Sequence, residues 1–272
     1  MIFVGRIDES DTHGNEPDMV MSAMLGGSDE WELLRRRLNA IRRDYGFSVF
    51  HGTEFRALTG EFAGWSEMKC RKLLFDLGKA VSGTLRECVT VTCEYATYRD
   101  HFLAKRPAKM HQTSQYGLCF NVILDTLTYR VAQIRGRHRL SVIVEAGHKN
   151  APDTARIFTE RKAAYQQQGM DFYRTHSLAR KKDDPLLMLS DVTAYGSARE
   201  ERVKRAGVDR PFTDSPGAEE PRGNETGWSV VEVTPKYISN LIEEFEAGKA
   251  AKHAEYLERR AKALGKQAGA QG

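Results

Sequence analysis

Three acidic residues break apolar runs at points where a bare carboxylate is costly to bury. Asp8 follows the strand-like opening with Ile2, Phe3, Val4 and Ile7, and Glu145 closes Val142-Ile143-Val144. Asp191 lies in a helical stripe in which Leu187, Asp191, Ala194 and Ala198 fall at i, i+4, i+7 and i+11. Ligands in such sheets gather at the carboxyl ends of strands, so two acids at strand ends and one on a helix stripe can converge. Converged carboxylates cannot all stay ionised unless a cation compensates them. Oxygen donors select hard ions, which makes Mg²⁺ or Mn²⁺ the natural occupant. Two such ions ~4 Å apart would activate a water and stabilise the leaving oxygen in phosphodiester hydrolysis.

Other residues can serve such a centre. Glu54, in His51-Gly52-Thr53-Glu54, is a candidate further ligand, with Gly52 allowing close backbone approach; a plain helix-entry turn is the equal alternative. His51 and His148 have the chemistry for proton transfer or substrate orientation near neutral pH, and His148 closely follows Glu145. Asn150 can orient His148 or touch phosphate, and Lys181 and Lys182, upstream of Asp191, can neutralise a bound phosphate backbone. Glu9 points to the opposite sheet face from Asp8 while the strand continues, so it is expected behind the metal ligands rather than among them.

The elements that must position these side chains follow from periodicity and punctuation. Strands are expected over residues 2–8 and 18–26, joined by a turn over 11–17 and paired antiparallel, then a helix capped by Ser28 or Asp29 and running to Tyr45. An extended run from Phe47 to Phe50 leads to a loop at 51–54, and Ser66 caps a helix over 67–82. A strand over 86–94, a helix over 112–135, a buried strand over 139–145, a helix from Asp153 to Gln168 and a strand over 170–177 complete the middle. Pro185 opens a helix to about Arg205, and after a Pro- and Gly-rich stretch come a strand from Trp228 to Val233 and a helix over 235–264. Antiparallel strands followed by alternating strands and helices imply a mixed sheet covered by helices, not a doubly wound parallel sheet.

Composition sets the bounds. Of 272 residues 40% are hydrophobic and 29% charged, as a water-soluble chain with a real core requires. The opening MIFVGRIDES lacks the pattern of a secretory signal and no apolar run approaches bilayer-spanning length, so a cytoplasmic protein is expected, with no membrane partner. Cys70, Cys88, Cys93 and Cys119 include no C-x-x-C pair, and Cys88 and Cys93 read as small buried hydrophobes. A net charge of +4 permits a nucleic-acid partner without requiring one. The Arg35-Arg36-Arg37 cluster alternates with Leu34 and Leu38 and reads as the solvated face of a helix.

Four short motifs occur in order: Asp8-Glu9-Ser10, His51-Gly52-Thr53-Glu54, Val144-Glu145-Ala146-Gly147 and Leu187-Met188-Leu189-Ser190-Asp191. Over about residues 2–200 this resembles the bacterial family called domain of unknown function 3800. The resemblance implies a ribonuclease-H-like α/β fold, a mixed sheet flanked by helices, here with a C-terminal helical extension. It also implies a nuclease-type acidic cluster with Asp8 as central ligand, Glu145 as the acid after a middle strand and Asp191 as the acid on the late helix. Glu145 stands where the family commonly has aspartate, and Ser190 where alanine is common. Residues 1–206 are expected to form this domain, 207–227 a linker or mobile loop, and 228–272 a strand and helix packed on the same domain. The expected activity is metal-dependent hydrolysis of DNA or RNA. The rival readings are an inactive nucleic-acid-binding module and a metal-dependent hydrolase of a small phosphorylated molecule.

Overall fold

The structure, a computed structural model, describes residues 1–10, 18–205 (backbone alone for 199–205) and 226–249. The turn expected over 11–17, residues 207–225 of the expected linker and the expected helix beyond 249 lie outside the described residues. Two compact units are present, Met1–Tyr95 with Thr113–Glu232, and Ala96–Gln112 with the chain from Val233 onward. The first carries all the predicted acids. In the second, Tyr98 stacks on Phe102 at 5.8 Å in a π-helical turn, Tyr98–Leu103, and residues 235–249 form a helix.

The first unit is built on six strands: β1 (Ile2–Ser10), β2 (Asp18–Gly27), β3 (Glu87–Glu94), β4 (Arg139–Glu145), β5 (Tyr173–Ala179) and β6 (Gly227–Glu232), in the spatial order β5-β4-β1-β2-β3-β6. β2 is antiparallel to both β1 and β3, whereas β1–β4, β4–β5 and β3–β6 are parallel, so β2 alone runs against the other five. A short connection can join β1 only to an antiparallel neighbour, and the parallel β1–β4 pair needs a long crossover. The expected mixed, helix-flanked α/β sheet is the fold observed. β6 pairs with β3 in this sheet from Gly227 onward, with Thr226 buried just before it.

Helices cover both faces. On one lie α1 (Ser28–Tyr45), α2 (Gly52–Ala57), α3 (Glu67–Val81) and α7 (Leu187–Arg205), around a core that includes Met24, Trp31, Phe62, Leu73 and Met188. On the other α5 (Gln115–Gln133) comes so close to β1 that a Cβ on Gly5 would meet Leu127. α6 (Ala151–Gln167) packs beside α5, while α4 (Tyr95–Thr97) is a single turn. Burial explains the register: Val4, Arg6 and Asp8 face the α1–α7 side, where Trp31 Nε1 donates to the Val4 carbonyl and Ser190 Oγ to the Arg6 carbonyl.

Local chemistry moves several boundaries. α1 is capped by Gly27, whose N–H donates to Glu30 Oε2 at 2.7 Å, and not by Ser28 or Asp29. Residues 47–50 form no strand; Phe50 instead packs with Phe55 and Phe62, at 4.9 and 5.6 Å between ring centroids. The expected loop at 51–54 is mostly the first turn of α2. Asp153 does not open α6, which begins at Ala151; its carboxylate accepts from the Ser114 N–H at 2.9 Å and hydroxyl at 2.5 Å, tying α6 to the cap of α5. Ser66 caps α3 as expected, and all four cysteines are buried free thiols.

Candidate metal centre

The parallel β1–β4 pairing ends at Ile7 and Val144, so Asp8 and Glu145 stand side by side just past its last rung, Asp8 still paired with Ser22 of β2 and Glu145 with Ala179 of β5. Glu9 joins them. Asp8, Glu9 and Glu145 each bring a carboxylate oxygen within 4.8 Å of the others. Alternation along β1 had placed Glu9 behind the metal ligands; β1 continues past the last β4 partner at Ile7, so beside Glu9 there is no β4 strand to keep the two faces apart. Asp8 is 1% exposed. Burial is the largest influence on it and holds its proton well above the usual carboxylate range; the Lys181 charge opposes this, and Asp191 and Glu9 add to it. Glu9 is pushed up to about 7, first by burial and then by the charge of Glu145.

Asp191 stands on the far side of a lysine. Lys181 Nζ lies 2.5 Å from Asp191 Oδ2 and 3.0 Å from Asp8 Oδ2, with its side chain 13% exposed. Burial pulls the ammonium's pKa down, and the charges of Asp8 and Asp191 more than reverse this. The expected role of Lys181 was contact with a substrate backbone; in the structure it is the counter-ion between two acids. Gly52 N–H donates to Asp191 Oδ2 at 3.3 Å, and a Cβ at Gly52 would stand 3.1 Å from Asp191 Oδ1 and 3.3 Å from Tyr195. Close backbone approach is thus the use of Gly52, toward Asp191 and not on behalf of Glu54.

The other candidates separate. His148 stacks face to face on Tyr116, with centroids 4.1 Å apart and planes 5° from parallel, and its Nδ1 accepts the Asn150 N–H at 3.1 Å. A neutral ring bonded this way carries its proton on Nε2. Asn150 therefore orients His148 through its backbone. Glu54 is not in the close-set acidic group: its carboxylate occupies the space where a side chain on Gly60 would stand. His51 is the N-cap residue of α2 and is not part of the close-set acidic group. Lys182 is exposed. Tyr116 was missed: its buried hydroxyl has no hydrogen-bond partner, and burial first, then Glu9, Asp8 and Glu145, raise its pKa. A single tyrosine opening an apolar helix gives no sequence signal for such a place.

These side chains fit a hard cation. Asp8 Oδ2 is held by the Lys181 ammonium at 3.0 Å, whereas Glu9 Oε2 is buried with no hydrogen bond. Buried carboxylate oxygens normally have hydrogen-bond partners, and the orphaned Glu9 oxygen beside the orphaned Tyr116 phenol calls for an ion or ordered water. Every donor is an oxygen, the set that Mg²⁺ and Mn²⁺ prefer.

No protein-family model matches the chain, and no curated protein matches it in sequence. Among solved structures, ribonuclease H2 from Pyrococcus horikoshii OT3 is similar with a TM-score of 0.39 and 11% identity, over 80% of this chain and 82% of that one. RNase HII from Archaeoglobus fulgidus, solved in complex with PCNA, is similar with a TM-score of 0.40 and 13% identity, over 80% and 83%. At identities of this size the chemistry must be argued from the side chains. Among the described residues no helix is long and apolar enough to cross a membrane.

Proposed function

We propose that this chain is a divalent-metal-dependent nuclease, with Asp8, Glu9 and Glu145 holding Mg²⁺ or Mn²⁺. The observation that carries this reading is the meeting of three carboxylates within 4.8 Å, with Glu9 Oε2 buried and lacking a hydrogen bond. When bound, the ion would lower the pKa of a water and offset charge on a phosphodiester. Asp8 Oδ1, accepting the Glu9 N–H at 2.9 Å, is fixed in direction, and Glu145 is likewise held by the Gly147 N–H. In hydrolysis the water oxygen bonds to phosphorus, the bond from phosphorus to the departing sugar oxygen breaks, and that oxygen takes a proton. The proton comes from the attacking water by way of solvent, and His148, with its proton on Nε2, can donate a hydrogen bond to an oxygen of the phosphate.

A nucleic-acid substrate is supported by exposed Arg180 and Lys182 on either side of Lys181, and exposed Lys149 beside His148. The order of the four motifs supports kinship with the domain of unknown function 3800 family. The test incubates the purified chain with labelled single- and double-stranded DNA, RNA and hybrid, in Mn²⁺ or EDTA. Cleavage is expected only with metal, and Asp8→Asn and Glu145→Gln should each lower it by roughly a hundredfold or more. Cleavage of none of these substrates, or undiminished cleavage by Asp8→Asn, overturns the reading.

A further inference from the structure

We infer that this centre takes one divalent ion and that the Lys181 ammonium fills the second cation position beside Asp8. The inference rests on the metal-dependent reading above and departs from the two-ion arrangement that acid clusters of this kind bring to mind. Asp8 stands between two places of negative charge. One is formed with Glu9 and Glu145, whose oxygens lie within 4.8 Å of one another. The other lies between Asp8 Oδ2 and Asp191 Oδ2, and there Lys181 Nζ sits at 3.0 and 2.5 Å.

Lys181 is not a surface side chain that has drifted inward. Its segment is pinned three residues on, where Asp184 Oδ2 meets Arg6 Nε at 2.8 Å. Its acceptor Asp191 is approached by the Gly52 N–H, and a Cβ at Gly52 would crowd Asp191 Oδ1 at 3.1 Å. Expelling the ammonium would leave Asp8 and Asp191, both at most 4% exposed, facing each other as like charges. Charge counting agrees: with Asp8, Glu9, Glu145 and Asp191 ionised, Lys181 and one divalent ion leave a single negative charge. The orphaned oxygen on Glu9 and the unpartnered Tyr116 hydroxyl both belong to the first place, so the vacancy for an ion is there. Lysine also does what an ion cannot. Of its three N–H donors one is taken by Asp191, which leaves donors for a phosphate oxygen.

The experiment counts Mn²⁺ bound by the full chain, by calorimetric titration and by the electron paramagnetic resonance signal of free Mn²⁺, after EDTA and desalting. The wild type should bind one ion. Lys181→Ala should bind two, and Lys181→Ala with Asp191→Asn should return to one, because the second place has then lost an acid. Two ions in the wild type overturn the inference and leave the metal reading standing, whereas no ion removes the metal reading itself. One ion in a folded Lys181→Ala also overturns the inference. Should Lys181→Ala not fold, the wild-type count still decides, one for the inference and two against it.

Discussion

Arg6 and Asp184, 178 residues apart, meet at 2.8 Å, and the Arg6 guanidinium lies 4.2 Å above the ring of Trp31. The contact joins β1, two residues before Asp8, to the segment that carries Lys181. Burial pulls the Arg6 pKa down, and the Asp184 charge opposes that shift. The pair therefore does more than add a surface ion pair: it fixes the path that delivers the lysine.

Removing one partner should be costly. Arg6→Met leaves Asp184 facing an apolar side chain, and a loss of about 3 kcal/mol in unfolding free energy is expected, as for other broken buried pairs. Arg6→Met with Asp184→Asn should recover part of it. Chemical denaturation of the wild type, both single variants and the double variant yields the coupling, and additive losses would count against the clamp.

Two glycines should respond oppositely to alanine. At Gly52 the new methyl must push on Asp191 and Tyr195, so Gly52→Ala should cost about 1–3 kcal/mol and depress Mn²⁺-dependent cleavage. At Gly78, inside α3 with open space around it, alanine should instead stabilise by about 0.5–1 kcal/mol and leave cleavage unchanged. Melting curves and cleavage rates of the two variants check this together. A Gly52→Ala chain that melts like the wild type would show that the approach of α2 to α7 is looser than described.

Tyr116→Phe should preserve the stack on His148 while deleting a buried hydroxyl that makes no hydrogen bond. Without metal its stability should hold or rise, by on the order of 1 kcal/mol. Measured thermal unfolding in EDTA decides, because a clear fall would mean that the hydroxyl is bonded in the folded chain.

Stability should also depend on one histidine away from the acids. His176 is lowered below histidine's usual 6.5 by burial. Thr154 gives its hydroxyl proton to the Ala151 carbonyl, so His176 Nε2, at 2.8 Å, is the donor to Thr154, in a pocket walled by Phe120 and Phe158. Below 6.5 the unfolded chain binds a proton that the folded chain resists, so the contribution is complete above that pH and is lost as pH falls through the lowered value. Melting temperatures from pH 7.5 down to 5 should decline less steeply in His176→Gln than in the wild type. Parallel declines would remove His176 as the cause.

Asp8 and Glu145 were legible because each stops an apolar run, and Asp191 because it interrupts a stripe of buried residues. What they touch was not legible. Glu9 was set aside because it alternates with Asp8 along β1, but β1 outruns its neighbour β4 there, which no local pattern shows. Glu54 was credited with a loop, but α2 forms there and turns its carboxylate over Gly60. Lys181 reads as one of several basic residues, because its direction depends on the Arg6–Asp184 contact, which no local pattern encodes. The mixed sheet was readable from the order of its elements. The place of β6 was not, since its partner β3 is far away in the chain.

The parallel pairing of β1 with β4 sets when the centre can exist. The emerging chain must lay down β2, β3 and α5 before β4 is available, and pairings so distant in sequence form slowly. A polypeptide stopped short of β4 would hold Asp8 and Glu9 with neither Glu145 nor Lys181 to complete their surroundings. The acidic cluster is therefore assembled late in the birth of this protein, in the step that closes its crossover.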